Sequence, residues 1–282
     1  MKIGMFTSGY ALWPLEQCFR DAREFGYDYI ELYGARPHAY AQDLLDGDAA
    51  RVRALMEQYE IPVPVYTPEH NLYPYNYMLG SEAQRRDAVD YLCRCLDAAR
   101  LIGAGQMLTS PAFGAVGATS GELWERLIKT MRELVEYAEK VQVQIIVETL
   151  TPYESNFFTR ANDLAELFEA VDSPWIAGVC DVIPPYVQQE SILSYFDKLG
   201  PKMVHLHLVD GRFGTDDHLV PGEGTIPLEE LMSELDRRGC TCTATIELVG
   251  KYGNEPGLYA RRAINRVRAM EKEAGKPKRR QV

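Results

Sequence analysis

Residues 144–181 read Gln144-Ile145-Ile146-Val147-Glu148, then an amphipathic stretch over 162–171, then Trp175-Ile176-Ala177-Gly178-Val179-Cys180-Asp181. The two apolar runs are short, contain β-branched residues and end at a polar residue, which predicts two buried strands. Between them, Ala165 and Leu167-Phe168 follow an Asn162 that can cap a helix. Strand, helix and strand in this order form a βαβ unit, and its strands are parallel. Each run also ends in a carboxylate. An ionisable group at the end of a buried strand costs free energy unless it is paired or binds a metal.

The same alternation occurs eight times along the chain. Strands are expected at 2–7, 29–33, 62–67, 105–110, 144–149, 175–181, 203–209 and 243–249. Helices are expected near 14–25, 49–59, 82–101, 121–140, 162–171, 188–198, 227–238 and 256–273, with Asp48, Ser81 and Ser120 as further caps. Eight β-then-α units in a chain of this length predict an α/β fold, a single (β/α)8 TIM barrel. A doubly wound open sheet usually has fewer strands and a glycine-rich first turn. Here the first turn is Thr7-Ser8-Gly9-Tyr10, without that pattern. No linker-like stretch divides the chain. Residues 1–275 are therefore read as one domain, and the basic tail Lys276-Pro277-Lys278-Arg279-Arg280, within 276–282, as a flexible solvated terminus.

Among 282 residues, 46% are hydrophobic and 25% charged, as in ordinary globular proteins. The formal net charge of -11 repels a phosphate backbone and argues against nucleic acid as a partner. No apolar run approaches the roughly 20 residues of a membrane helix. Met1-Lys2-Ile3-Gly4-Met5-Phe6 reads directly into a strand without a signal-peptide profile, so a cytoplasmic location is expected. The six cysteines, Cys18, Cys93, Cys95, Cys180, Cys240 and Cys242, form no C-x-x-C pair and are read as reduced thiols.

In such barrels the chemistry sits at the C-terminal ends of the strands, where the βα loops converge. Glu148 and Asp181 end the fifth and sixth runs. His207 lies in Met203-Val204-His205-Leu206-His207-Leu208, and Glu247 ends Thr243-Ala244-Thr245-Ile246-Glu247. Each residue alone has a bland reading: a glutamate paired with a core arginine, or a satisfied core histidine. Four on consecutive strands point to a shared site. Three carboxylates and an imidazole suit one hard or borderline divalent cation, Mn2+, Co2+, Ni2+, Mg2+ or Zn2+. Other polar residues after strands are Glu31, Glu69, Thr109-Ser110, Glu154 and the loop 210–224.

Longer matches carry a family resemblance. They include Gly4-Met5-Phe6-Thr7, Arg36-Pro37-His38-Ala39, Tyr66-Thr67-Pro68-Glu69, Tyr73-Pro74-Tyr75-Asn76 and Leu150-Thr151-Pro152-Tyr153-Glu154-Ser155-Asn156. Ser194-Tyr195-Phe196-Asp197-Lys198-Leu199-Gly200, His205-Leu206-His207, Pro221-Gly222-Glu223-Gly224, Glu247-Leu248-Val249 and Asn254-Glu255-Pro256 complete them. Over nearly its whole length the chain resembles the xylose isomerase-like barrels of sugar 3-epimerases, most of all those of the fructoselysine type. The resemblance implies a metal held by Glu148, Asp181, His207 and Glu247, with Glu148 and Glu247 also carrying protons. It implies inversion at C3 of a ketose or a fructosamine of the fructoselysine or psicoselysine type, through an enediolate. Glu154, Tyr66, Glu69 and Arg212 are read as contacts to a small sugar or sugar-amine, and a homo-oligomer is expected. Two positions depart from the ketohexose 3-epimerases: Pro184 stands where they carry a substrate-binding histidine, and Arg212 is only an approximate counterpart of their arginine. Both departures argue against a free ketohexose such as tagatose.

Other readings share the barrel. An aldose–ketose or hydroxypyruvate-type isomerase uses the same carboxylates. A non-catalytic sugar-binding barrel would keep the cavity without the chemistry. Asp216-Asp217-His218 resembles an element of apurinic endonucleases, but those phosphodiester hydrolases need further histidines, and only five exist here. Asp216 and His218 are read instead as ordering their loop or holding a second, weaker metal. The aromatic segment 69–77 is expected to form a lid over the site or a subunit contact.

Overall fold

The apolar runs form eight short strands: β1 (Ile3–Phe6), β2 (Tyr29–Gly34), β3 (Val65–Pro68), β4 (Gln106–Thr109), β5 (Gln144–Glu148), β6 (Ile176–Asp181), β7 (Met203–His207) and β8 (Thr243–Ile246). The computed structural model describes residues 1–72 and 74–274. Each strand pairs in parallel with its neighbour in sequence, and β1 pairs with β8 to close the barrel. Outside lie α1 (Leu15–Phe25), α2 (Ala49–Tyr59), α3 (Glu82–Ile102), α4 (Ser120–Val141), α5 (Ala161–Val171), α6 (Leu193–Leu199), α7 (Leu228–Arg237) and α8 (Pro256–Ala274). The basic tail expected at 276–282 lies outside the described residues.

Side chains alternate across each strand, so one parity fills the barrel and the other packs against helices. The inner layer comprises Val65, Leu108, Ile146, Ala177 and Val179, with Val204 against it. The larger apolar layer between sheet and helices includes Ile30, Leu92, Leu127, Ile145, Leu206 and Leu235. Near the floor, Tyr29 crosses the interior and its hydroxyl lies 3.0 Å from Thr245 Oγ1. A Cβ on Gly4 would lie 2.1 Å from that ring, so only glycine fits there.

Local chemistry sets the helix starts. Ser81 and Gln84 form a reciprocal capping box at α3. At α4 the cap is Thr119, boxed with Glu122, rather than the expected Ser120. Asp48 caps nothing, because its backbone is already helical and its carboxylate pairs with Arg51 at 2.6 Å. Asn162 is likewise displaced: the Asp163 carboxylate accepts from the Thr159 and Arg160 amides. The helix expected over 188–198 is two pieces, Ile183–Val187 and α6. Pro184 and Pro185 occupy the first turn of the short piece, where a missing amide hydrogen does no harm.

Candidate functional site

Strand parity and register bring the polar ends together. Glu148 shares a face with Ile146, and Asp181 with Ala177 and Val179, so both carboxylates continue the inner layer. Asp181 is in register with His207, and His207 with Thr245, two residues before Glu247. One donor atom from each of Glu148, Asp181, His207 and Glu247 falls within 4.8 Å of the others. His207 Nδ1 lies 2.8 Å from Glu148 Oε1 and 3.0 Å from Glu247 Oε2. Yet Nδ1 and Glu148 Oε1 are both buried without a partner in hydrogen-bond geometry. Orphaned donor atoms converging in this way fit a shared cation. Their number and type suit the divalent ions expected from the sequence.

Below this layer lies a second one. Glu31 is fully buried on β2 and faces His207 Nε2 at 3.2 Å and His205 Nε2 at 3.0 Å. Thr67 donates its hydroxyl to Glu31 Oε1 at 2.6 Å. His205 Nδ1 lies 2.7 Å from Thr243 Oγ1. Burial opposes the Glu31 charge, but His207 and His205 outweigh it and hold the carboxyl well below its ordinary range. A carboxylate at Nε2 assigns the His207 proton to that nitrogen, leaving the Nδ1 lone pair for a metal. From sequence alone Glu31 is legible only as a polar strand end; its pairing with both histidines is not.

The two flanking glutamates differ. Burial first, then Glu247 and Asp181, push Glu148 up to about 7, against the pull of His207. Burial also acts on Glu247, but His207 and His218 outweigh it and hold that carboxyl far below its ordinary range. His218 Nε2 lies 3.3 Å from Asp181 Oδ2 and 3.4 Å from Glu247 Oε2, so the loop histidine joins the site's edge.

A cavity of about 480 Å³ opens above these groups. Six carboxylates line it: Glu69, Glu148, Glu154, Asp181, Asp216 and Glu247. Among the described lining residues there is no lysine or arginine. Phe6, Tyr33 and Leu108 supply apolar wall. Burial and the nearby Asp216 raise Glu154 to about 7. Glu69 accepts from the Tyr33 hydroxyl at 2.7 Å.

Two expected contacts lie elsewhere. Tyr66 has the outward parity of β3, between Val65 and Thr67; it is fully buried and donates its hydroxyl to Ala39 O at 2.8 Å. Arg212 sits on an exposed turn 3.6 Å from Asp217 and does not line the cavity. Nor do the described aromatics of 69–77 roof the site. Tyr75 stacks on Tyr91 with centroids 3.6 Å apart, and Tyr77 stacks on His70. Tyr73 lies outside the described residues. Glu69, His70 and Asn71 reach the cavity, although the His70 ring is already engaged by the Pro68 carbonyl and the Ser110 amide.

The model of the xylose isomerase-like TIM barrel family matches residues 19–270. Fructoselysine 3-epimerase of Shigella flexneri is 47% identical over 270 residues, covering 96% of this chain and 98% of that protein. Among solved structures, 3-keto-D-glucoside 4-epimerase from E. coli superposes with a TM-score of 0.80 at 16% identity, over 95% of this chain and 99% of that one. D-psicose 3-epimerase from Clostridium cellulolyticum H10, solved with D-tagatose, gives a TM-score of 0.77 at 17% identity, over 96% and 99%. The two structural likenesses support the fold. The chain belongs to the xylose isomerase-like TIM barrel family, among its carbohydrate epimerases.

Proposed function

We propose that the protein is a divalent-metal-dependent epimerase that inverts C3 of a ketose-like sugar carrying an amine, of the fructoselysine type. The observation that carries this reading is the convergence of Glu148, Asp181, His207 and Glu247 with two orphaned buried donor atoms beneath an acid-lined cavity. When bound there, a cation supplies Lewis-acid stabilisation of negative charge developing on substrate oxygens.

The chain's own residues do the rest. Inversion next to a carbonyl removes a proton from one face of C3 and returns one to the other. Glu148, at the end of β5, and Glu247, just after β8, suit the two proton carriers, one serving as base on one face of C3 and the other as acid on the opposite face; in the reverse direction the roles exchange. Glu31 keeps the His207 ring oriented through Nε2. Glu154, Glu69 and Asp216 line the remaining wall.

The charge of the cavity supports the amine. Of the six lining carboxylates, Glu148, Asp181 and Glu247 are the proposed metal ligands; Glu69, Glu154 and Asp216 remain, and without a lysine or arginine among the described lining residues they make a poor receptor for a phosphorylated sugar and a better one for an amine. The 47% identity to a fructoselysine 3-epimerase points the same way.

The test is solvent exchange. The protein, loaded with Mn2+ or Co2+, is incubated with fructoselysine in D2O. Deuterium is expected at C3, with the C3 epimer accumulating. Label at C1 instead would favour an aldose–ketose isomerase. Thermal stabilisation by the sugar without any exchange would leave a binding protein and reject the proposal.

A further inference from the structure

At the opposite end of the barrel from the cavity, the chain leaves α7 through Gly239, in the left-handed region at φ 65°. The Cys240 amide bonds back to Leu235 O at 3.0 Å, and the Gly239 amide to Asp236 O at 3.0 Å. This double closure is a Schellman cap, and it fixes the Cys240 backbone. Two residues later Cys242 leads directly into β8, whose pairing begins at Thr243. Two rigid frames thus hold one C-x-C segment, and they bring the two sulfurs to 2.9 Å. Both thiols are free, with Cys240 half-buried and Cys242 buried.

The pair is reachable. A surface cavity of about 220 Å³ is lined by Met1, Met232, Asp236, Cys240 and Glu271. A second, of about 370 Å³, is lined by both cysteines together with Met203, Val204 and Arg238. The remaining cysteines contrast with this. Cys18, Cys95 and Cys180 are buried, and burial pushes all three thiols up. Burial also raises Cys93, to about 11. Cys240 is held down at about 6, first by the Cys242 thiol beside it and also by the Met1 ammonium, while Cys242 is raised. One attacking thiolate and one adjacent resolving thiol are the two parts of a redox-responsive site.

We propose that Cys240 and Cys242 form an oxidisable dithiol that a peroxide converts to an intramolecular disulfide. The Cys240 thiolate attacks a peroxide oxygen; the O–O bond breaks, and the departing hydroxide takes a proton to become water. Cys242 sulfur then attacks the sulfenic sulfur. The S–S bond forms, the S–O bond breaks, and the Cys242 proton leaves with that oxygen as a second water. The dithiol loses two electrons and the peroxide gains them.

Peptide mapping of the fully reduced, full-length protein tests this without reference to its enzymatic activity. The wild type is treated with an equimolar amount of hydrogen peroxide, remaining thiols are alkylated in denaturant, and the digest is weighed. The peptide containing both residues is expected to lose two hydrogens and escape alkylation, while Cys18, Cys93, Cys95 and Cys180 alkylate fully. In Cys242→Ser, Cys240 is expected to stop at a sulfenic acid that a cyclic 1,3-diketone traps. Full alkylation of the pair after peroxide, direct passage to sulfinic or sulfonic acid, or a disulfide only between chains would each overturn the proposal. Should the serine variant misfold, the wild-type map decides alone.

Discussion

Glu148 and Glu247 approach the same imidazole nitrogen, and their surroundings drive their protonation apart. If each carries a proton, Glu148→Gln and Glu247→Gln keep volume and a weak oxygen ligand while removing the carrier. Each is expected to lose at least about 10²-fold in kcat. The double variant should lose little more than the worse single, because a relay missing one end is already broken. Near-normal epimerisation by either variant with metal bound would make that glutamate a ligand only. Glu31→Gln probes the layer beneath. The amide cannot hold the Nε2 proton of His207 as the carboxylate does, so metal affinity should fall about 10–100-fold, with turnover largely recovered at saturating metal. Unchanged affinity in a Co2+ titration would remove Glu31 from the site. The four converging residues were legible because strand-end position and inward parity are both local properties. Glu31 with His205 was not, because their meeting depends on barrel closure bringing β2 opposite β7. Tyr66 was over-read for a local reason: one step of parity on β3 sends its ring to the helices.

At the scale of elements, the periodicity located every strand to within a few residues, since apolar runs and their turn residues are local. Helix starts were less legible. Ser and Thr neighbours compete for one cap, and the winner is set by where the preceding loop delivers the chain, as Thr119 shows beside Ser120. Ser81 holds a full box, accepting from the Gln84 amide at 3.4 Å while its own amide donates to Gln84 Oε1 at 2.7 Å. Ser81→Ala is therefore expected to cost about 1 kcal/mol in urea unfolding. Ser120→Ala, one residue inside α4, should change stability by no more than a few tenths of that. Equal losses would contradict the assignment of the caps. The split of the sixth helix has a functional side as well. The short helix at Ile183–Val187 starts immediately after Asp181, whose Oδ1 accepts the Ile183 amide at 2.8 Å, and so steadies one oxygen of a proposed ligand.

For the whole molecule, the four donors come from β5 to β8, the half of the barrel that must close onto β1. Without a cation, carboxylates crowd the His207 and His218 imidazoles there, and protons on those rings supply positive charge that holds the cluster together. Against burial, Glu148, Glu247 and Glu31 together push His207 well above its ordinary range, and Glu148 itself is raised to about 7. A metal must displace those protons, because its ligands bind as carboxylate and as neutral imidazole. Two consequences follow in sign. Metal uptake should release protons near neutrality, and affinity should rise with pH and weaken as pH falls below 7. At a free-metal concentration of 100 Kd, binding to the folded state alone stabilises it by about 2.7 kcal/mol. With an unfolding entropy of about 2.1 cal/mol/K per residue, that corresponds to a rise in Tm of about 5 °C for a chain of 282 residues. Thermal melts of chelator-treated protein, with and without Mn2+ or Co2+ at a fixed total concentration, should show this rise at pH 8. At pH 5.5 most of it should be gone. Calorimetry in two buffers of different ionisation enthalpy would count the protons released. A metal-induced shift of the same size at both pH values, with no proton release, would mean that the ion binds outside the Glu148–His207–Glu247 cluster.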